Sequence, residues 1–266
     1  MSYVQFLLLL SVLPSIILGK YIYDNDRISK EPNNLLAKLV LYGIFSTILT
    51  LILSSLLEYL PFIPKSSSNL STIGLIVYCF FKVGFIEEFS KWIFVRLATW
   101  NNKEFDHIYD AIVYCVFVSL GFATLENILY VVSGGIIVAL LRAVLSVPGH
   151  VFFGVFMGYY YGIGKQGSIN RNTKIETKNL TLSLIVPTLL HGFFDFCLLA
   201  SNFYLIIIYF IFVIFLYYKA FKKVKQLAGI NQNFTEEITP KVALYCSNCG
   251  TELKGPYCGK CGKKMN

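Results

Sequence analysis

The chain has 266 residues, a mean hydropathy of +0.63, 56% hydrophobic residues and only 14% charged ones. That balance excludes an ordinary soluble domain and a disordered chain, and points to an all-α polytopic membrane protein. The formal net charge is +8, and nine lysines against three glutamates place +6 of it in residues 219–266. This tail reads as the positive flank that marks a cytoplasmic end, and no nucleic-acid partner is expected.

Taken in order, apolar stretches long enough to cross a bilayer begin with residues 4–19. No positive residue precedes this first span, as a cleaved signal peptide would need, so its N-terminus is expected outside. Lys20, Arg27, Lys30 and Lys38 then mark a cytoplasmic loop. Residues 39–60 form the second span and residues 70–97 the third. The fourth covers residues 108–132 and ends at a Ser133-Gly134-Gly135 turn. The fifth, residues 136–163, is interrupted by Pro148-Gly149, where proline frees a carbonyl and kinks a helix. Lys165, Arg171, Lys174 and Lys178 make a second basic loop before the sixth span, residues 180–199, and the seventh, residues 204–218. Every basic loop falls on one side of this plan. The expectation is about seven transmembrane helices in a cell membrane, with the N-terminus outside and the C-terminus in the cytoplasm.

The membrane domain is expected over residues 1–222, a polar linker over 223–242 and a small module over 243–266. In that module Cys246, Cys249, Cys258 and Cys261 form two CxxC knuckles. Four thiolates at this spacing fit a closed tetrahedral zinc site, so a structural zinc ribbon is expected, its fold dependent on the metal. Cys79, Cys115 and Cys197 are scattered through apolar spans and read as packing residues.

The spans are not apolar throughout. The third carries Lys82, Glu87, Glu88 and Lys91, the fourth Glu126 and Asn127, the fifth Arg142 and His150, and the sixth His191 and Asp195. Each charge near a helix centre costs roughly 2.5 to 3.5 kcal/mol to insert, so such residues mark function by default. Glu87 and Lys91 share a helix face, as do His191 and Asp195, and Asp195 is placed to hold the His191 ring in one tautomer. Lys82, Lys91 and Arg142 against Glu87, Glu88, Glu126 and Asp195 leave one carboxylate in excess beside two histidines. An unpaired carboxylate in a low dielectric is a natural general base or acid. Lys82 has a blander reading, as a residue that snorkels or pairs structurally.

These residues fall into Glu87-Glu88-x-x-Lys91, Phe122-Ala123-x-x-Glu126-Asn127, Arg142 followed eight residues later by His150, and His191-x-x-x-Asp195. On these motifs, within residues 74–195, the chain resembles the PrsW family of intramembrane proteases, in the wider group that includes the CAAX prenyl endopeptidases. The resemblance implies hydrolysis of a peptide bond in a membrane-protein substrate, an anti-sigma factor or another single-span regulator, without a covalent acyl-enzyme. It implies that Glu87 and Glu88 bind and activate a water, while His150 and His191 position that water or hold the oxyanion. Asn127 is the other oxyanion donor it suggests, with Lys91, Glu126, Arg142 and Asp195 in support.

The residues themselves signal no nucleophile, since there is no Gly-x-Ser-x-Gly and no cysteine in the four motifs. A two-histidine, one-carboxylate metal site stays open, but without a His-Glu-x-x-His the expected mechanism is metal-free. Two other function classes compete: a proton- or ion-coupled transporter, and a non-catalytic scaffold that displays the zinc ribbon.

Overall fold

The structure, a computed structural model, describes residues 2–27, 29–228 and 234. The zinc-ribbon cysteines Cys246, Cys249, Cys258 and Cys261 lie outside the described residues, as does nearly all of the linker beyond Ala228. Among the described residues all regular structure is helical. Lipid imposes this outcome, because every backbone N–H and C=O must find its partner within the segment.

Helix α1 spans Tyr3–Asn25 and α2 spans Asn33–Leu57. Then comes one continuous helical run in three parts: α3 (Thr72–Ile76), a π-helix (Val77–Phe85) and α4 (Ile86–Thr99). After it come α5 (Ile108–Val144), α6 (Ser146–Ile169), α7 (Thr173–Leu199) and α8 (Phe203–Leu227). Among the described residues five stretches are long and apolar enough to cross a membrane, with residues 108–169 counted as one of 62 residues. The run through residues 72–99 is not among them; it carries Lys82, Glu87, Glu88, Lys91 and Arg96.

The long apolar stretch is divided by two breaks. Gly135 has φ 74° and ψ −162°, a backbone conformation essentially reserved for glycine. Beyond it the chain turns back on itself, because Arg142 returns to hydrogen-bond Glu126 and Asn127. The expected turn at residues 133–135 therefore reverses the chain at Gly135. The second break differs from the sequence reading. It falls at Leu145 (φ −110°, ψ −59°) rather than at Pro148-Gly149. Pro148 sits in the first turn of α6, where its missing N–H leaves no carbonyl unsatisfied.

Helix α5 is the centre of the bundle and packs on α1, α2 and α6, while the π-helix packs on α7. Residues Ala111 to Val116 of α5 have no exposed surface at all. The outward faces are apolar instead, with Leu97 74%, Ile137 70% and Ile214 70% exposed, as lipid contact requires.

One close approach sets the site. A Cβ on Gly84 would stand 3.0 Å from the Gly192 nitrogen and 3.1 Å from the Thr188 carbonyl. A Cβ on Gly192 would stand 2.6 Å from the Phe80 ring and 2.8 Å from its Cα. Two absent side chains thus let the π-helix and α7 touch through backbone. His191 precedes Gly192, and Glu87 follows Gly84 by three residues, so this contact brings a histidine to a glutamate.

Candidate active site

The first motif opens α4. Glu88 and Lys91 have no exposed surface, and Glu87 is 8% exposed. The Lys91 ammonium donates to Glu88 Oε1 at 2.7 Å and lies 3.7 Å from Glu87 Oε2. From α7, His191 Nδ1–H donates to the same Glu88 oxygen at 2.9 Å. Its other nitrogen, Nε2, lies 3.8 Å from Glu87 Oε2 and 3.5 Å from Asp195 Oδ2. The carboxylate that fixes the His191 tautomer is therefore Glu88, and Asp195 stands on the far side of the ring.

A second glutamate–histidine pair lies opposite. Glu126 Oε2 accepts from Arg142 Nη2 at 2.7 Å and from His150 Nε2–H at 2.9 Å. The remaining ring nitrogen of His150, Nδ1, accepts from Lys91 at 3.1 Å. Lys91 thus joins the two halves, and its charge also lies over the face of Phe122, 4.1 Å from the ring centroid. Phe153 stacks on His191 at 4.8 Å, and the two imidazole centroids are 5.3 Å apart. Rings packed this way cannot swing, so the geometry is held before any substrate arrives.

The halves open on a cavity of about 440 Å³ whose wall includes Glu87, Glu126, Arg142, His150, His191 and Asp195. Glu88, Lys91 and Asn127 do not reach that wall. A cavity of the same volume lies between α1, α2 and α5, but among the described residues Lys20 is the sole charged one lining it. Volume alone does not pick out the site; the converging ionisable groups do.

Two of the singled-out residues stand elsewhere or work differently. Lys82 lies outside the cluster and pairs with Glu58 at 2.9 Å and with the Lys65 carbonyl at 2.8 Å. The expected balance of charge changes accordingly: the cluster holds four carboxylates against Lys91 and Arg142, an excess of two. Asn127 is fully buried; its amide donates to the Ser11 carbonyl of α1 at 2.8 Å and accepts from Arg142 Nε at 2.9 Å. Sequence reasoning missed Ser11, which contributes only a carbonyl, and missed the π-helix, whose residues carry no signal distinct from an α-helix. It did contain Phe122, at the head of the second motif.

A membrane-embedded bundle that converges buried carboxylates and imidazoles on one cavity has the make-up of a polytopic membrane hydrolase, and a proton-coupled transporter could share it. Family comparison narrows that class: the description "PrsW family intramembrane metalloprotease" matches residues 31–219. Similar curated proteins include Protease PrsW of Bacillus subtilis strain 168, 36% identical over 83% of this chain and 94% of that one. Protease PrsW of Oceanobacillus iheyensis is 38% identical over 70% and 80%, and that of Clostridioides difficile strain 630 is 35% identical over 79% and 87%. No solved structure matches significantly. The chain belongs to the PrsW family of intramembrane proteases, which decides against the transporter and the scaffold.

Proposed function

We propose that the protein hydrolyses a peptide bond in a single-span membrane substrate with a water activated by Glu87. The observation that carries this reading is the pair Glu87 Oε2 and His191 Nε2, 3.8 Å apart on the cavity wall. Glu87 Oε2 is buried and has no hydrogen-bond partner. In the neutral ring, with Nδ1–H given to Glu88, His191 Nε2 presents a lone pair to the cavity. A water donating one hydrogen to each directs its own lone pair at a substrate carbonyl. As its oxygen bonds to the carbonyl carbon, the proton passes to Glu87. Glu87 returns it to the amine nitrogen as the C–N bond breaks. The oxyanion forms beside Arg142 on the opposite wall, whose guanidinium has N–H groups beyond those given to Glu126 and Asn127 and supplies preorganised donors, while His150, held between Glu126 and Lys91, fixes that wall. Asn127, held by Ser11 and Arg142, acts by positioning Arg142.

The family description implies a metal. Glu87, His150 and His191 each offer a ligand atom within 4.8 Å of the others, and the unpartnered Glu87 oxygen suits one. These three residues would hold the ion, which when bound supplies an acidified water and a polarised carbonyl. The fit is strained at His150, whose two nitrogens already face Lys91 and Glu126. The metal-free form is the reading adopted. Its test is cleavage in proteoliposomes by protein carrying serine at Cys246, Cys249, Cys258 and Cys261. Survival of activity in strong chelator supports it. Loss in chelator with recovery on adding zinc assigns the three residues to a metal.

The same reading takes the run of residues 72–99 as a crossing and residues 108–169 as two, divided at Gly135, which gives seven. The N-terminus is outside and the tail cytoplasmic, where Cys246, Cys249, Cys258 and Cys261 bind one structural zinc. An anti-sigma factor or similar single-span regulator is the substrate class. One zinc per chain, lost in the four-serine protein, is the expected zinc content of the tail.

A further inference from the structure

Away from the cavity, a second group of metal-ligating side chains stands at the junction of α4 and α5. Asp106, His107 and Asp110 each offer a ligand atom, and these atoms lie within 4.8 Å of one another. His107 is 5% and Asp110 2% exposed. His107 Nδ1 lies against Asp106 Oδ1 and 3.7 Å from Asp110 Oδ2. Part of this is helix capping: the backbone N–H groups of Asp106 and His107 donate to Asp110 Oδ2 at 3.0 and 2.7 Å.

Capping does not account for what arrives from the α1–α2 connection. Glu31 is 3% exposed, and the charges of Asp26, Glu104, Asp106 and Asp110 all bear on it. Its Oε1 accepts from the Tyr114 hydroxyl at 2.8 Å, one turn beyond Asp110 on the same face of α5. Its Oε2 is buried without a hydrogen-bond partner, and so is His107 Nε2. Among the described residues no lysine or arginine forms an ion pair with Glu31 or Asp110; the nearby cation Lys103 pairs with Glu104, 3.6 Å away. Buried carboxylates gathered from two connections, with the His107 imidazole as their one cationic partner among the described residues and none for Glu31, are costly unless something neutralises them.

We propose that Asp106, His107 and Asp110 bind one divalent cation beside Glu31, whose buried charge it would offset, so that the ion couples the α1–α2 connection to the α4–α5 connection. Carboxylate oxygens with a single imidazole suit Mn²⁺ better than thiolate-loving ions. Phe234 reaches the same turn, its N–H donating to the Asp106 carbonyl at 2.8 Å, so the ion would also steady the point where the chain returns after α8.

The test is a titration of Mn²⁺ into the metal-stripped full chain in detergent, with free Mn²⁺ followed by its paramagnetic resonance signal. One saturable site is expected. Asp106→Asn should weaken it at least tenfold, since that side chain is half-exposed and its backbone, not its carboxylate, serves the cap. Glu87→Gln and the four-serine tail should bind as the wild type does. Absence of saturable binding, undiminished binding in Asp106→Asn, or loss of the site in Glu87→Gln overturns the proposal. Thermal unfolding guards against a misfolded variant: Mn²⁺ should raise the wild-type midpoint, and an unmoved wild-type midpoint also overturns it.

Discussion

The two glutamate–histidine pairs of the cavity use the same side chains and differ in their company. Glu126 and His150 are closed off: Arg142 lies on the carboxylate at 2.7 Å, Lys91 takes the free ring nitrogen, and Asn127 holds the arginine from behind. Among the described residues no arginine forms an ion pair with Glu88 or hydrogen-bonds His191. Lys91 is shared with a second carboxylate, Glu87, whose Oε2 has no hydrogen-bond partner. Under the proposed mechanism, identical residue types serve as a scaffold on one wall and as the reactive centre on the other. The difference lies in which cation each carboxylate is given.

That contrast can be broken from the scaffold side first. Arg142→Met leaves Glu126 buried without its strongest partner. It should lower stability in detergent by about 3 to 5 kcal/mol, the cost of stranding one member of a buried pair. Adding Glu126→Gln should recover part of that loss, and denaturant unfolding of the single and double variants reads both. On the reactive wall, His191→Gln keeps a polar group near Glu88 and removes the acceptor facing Glu87. Cleavage should fall about 100-fold, or about 2.7 kcal/mol, with the unfolding midpoint little changed.

Gly192→Ala tests how the reactive wall is assembled. Its new methyl would stand 2.6 Å from Phe80, so α7 and the π-helix must part. Overpacking of this kind costs about 1 to 3 kcal/mol, and cleavage should drop with stability. The smallest effect belongs to a pair in neither half. Lys82→Met loses a salt bridge to a glutamate whose side chain is 44% exposed. Stability should move by about 1 kcal/mol or less and the cleavage rate should hold.

Much of this site was legible because lipid makes charge expensive. Glu87, Glu88, Lys91, Glu126, Arg142, His150, His191 and Asp195 stood out as polar residues in apolar spans, and the fold brings all eight into one cluster. Spacing along a helix could not say which face each helix turns to which neighbour. Lys82 therefore sat in the same count as Lys91, although the π-helix between residues 77 and 85 and a salt bridge to Glu58 direct it elsewhere. The pairing of His191 with Glu88 across 103 residues was equally hidden, and Asp195, its neighbour in sequence, stood in its place. Gly135 announced its turn because only glycine adopts that backbone. Pro148 misled because proline signals a helix start as readily as a break. Asp106, His107 and Asp110 drew no notice, being ordinary residue types for a polar connection; their significance comes from Glu31, 75 residues earlier in the sequence.

The most direct measurement compares Glu87→Gln with Glu126→Gln in proteoliposomes containing a single-span substrate, each at matched folded fraction. Glu87→Gln should lose about 100- to 10,000-fold in cleavage rate while unfolding like the wild type, because its carboxylate serves chemistry and no hydrogen bond. Glu126→Gln should lose far less rate per unit of stability lost. Cleavage by Glu87→Gln at the wild-type rate, or an equal fall in the two variants at equal stability, would contradict the assignment of the free carboxylate as the base.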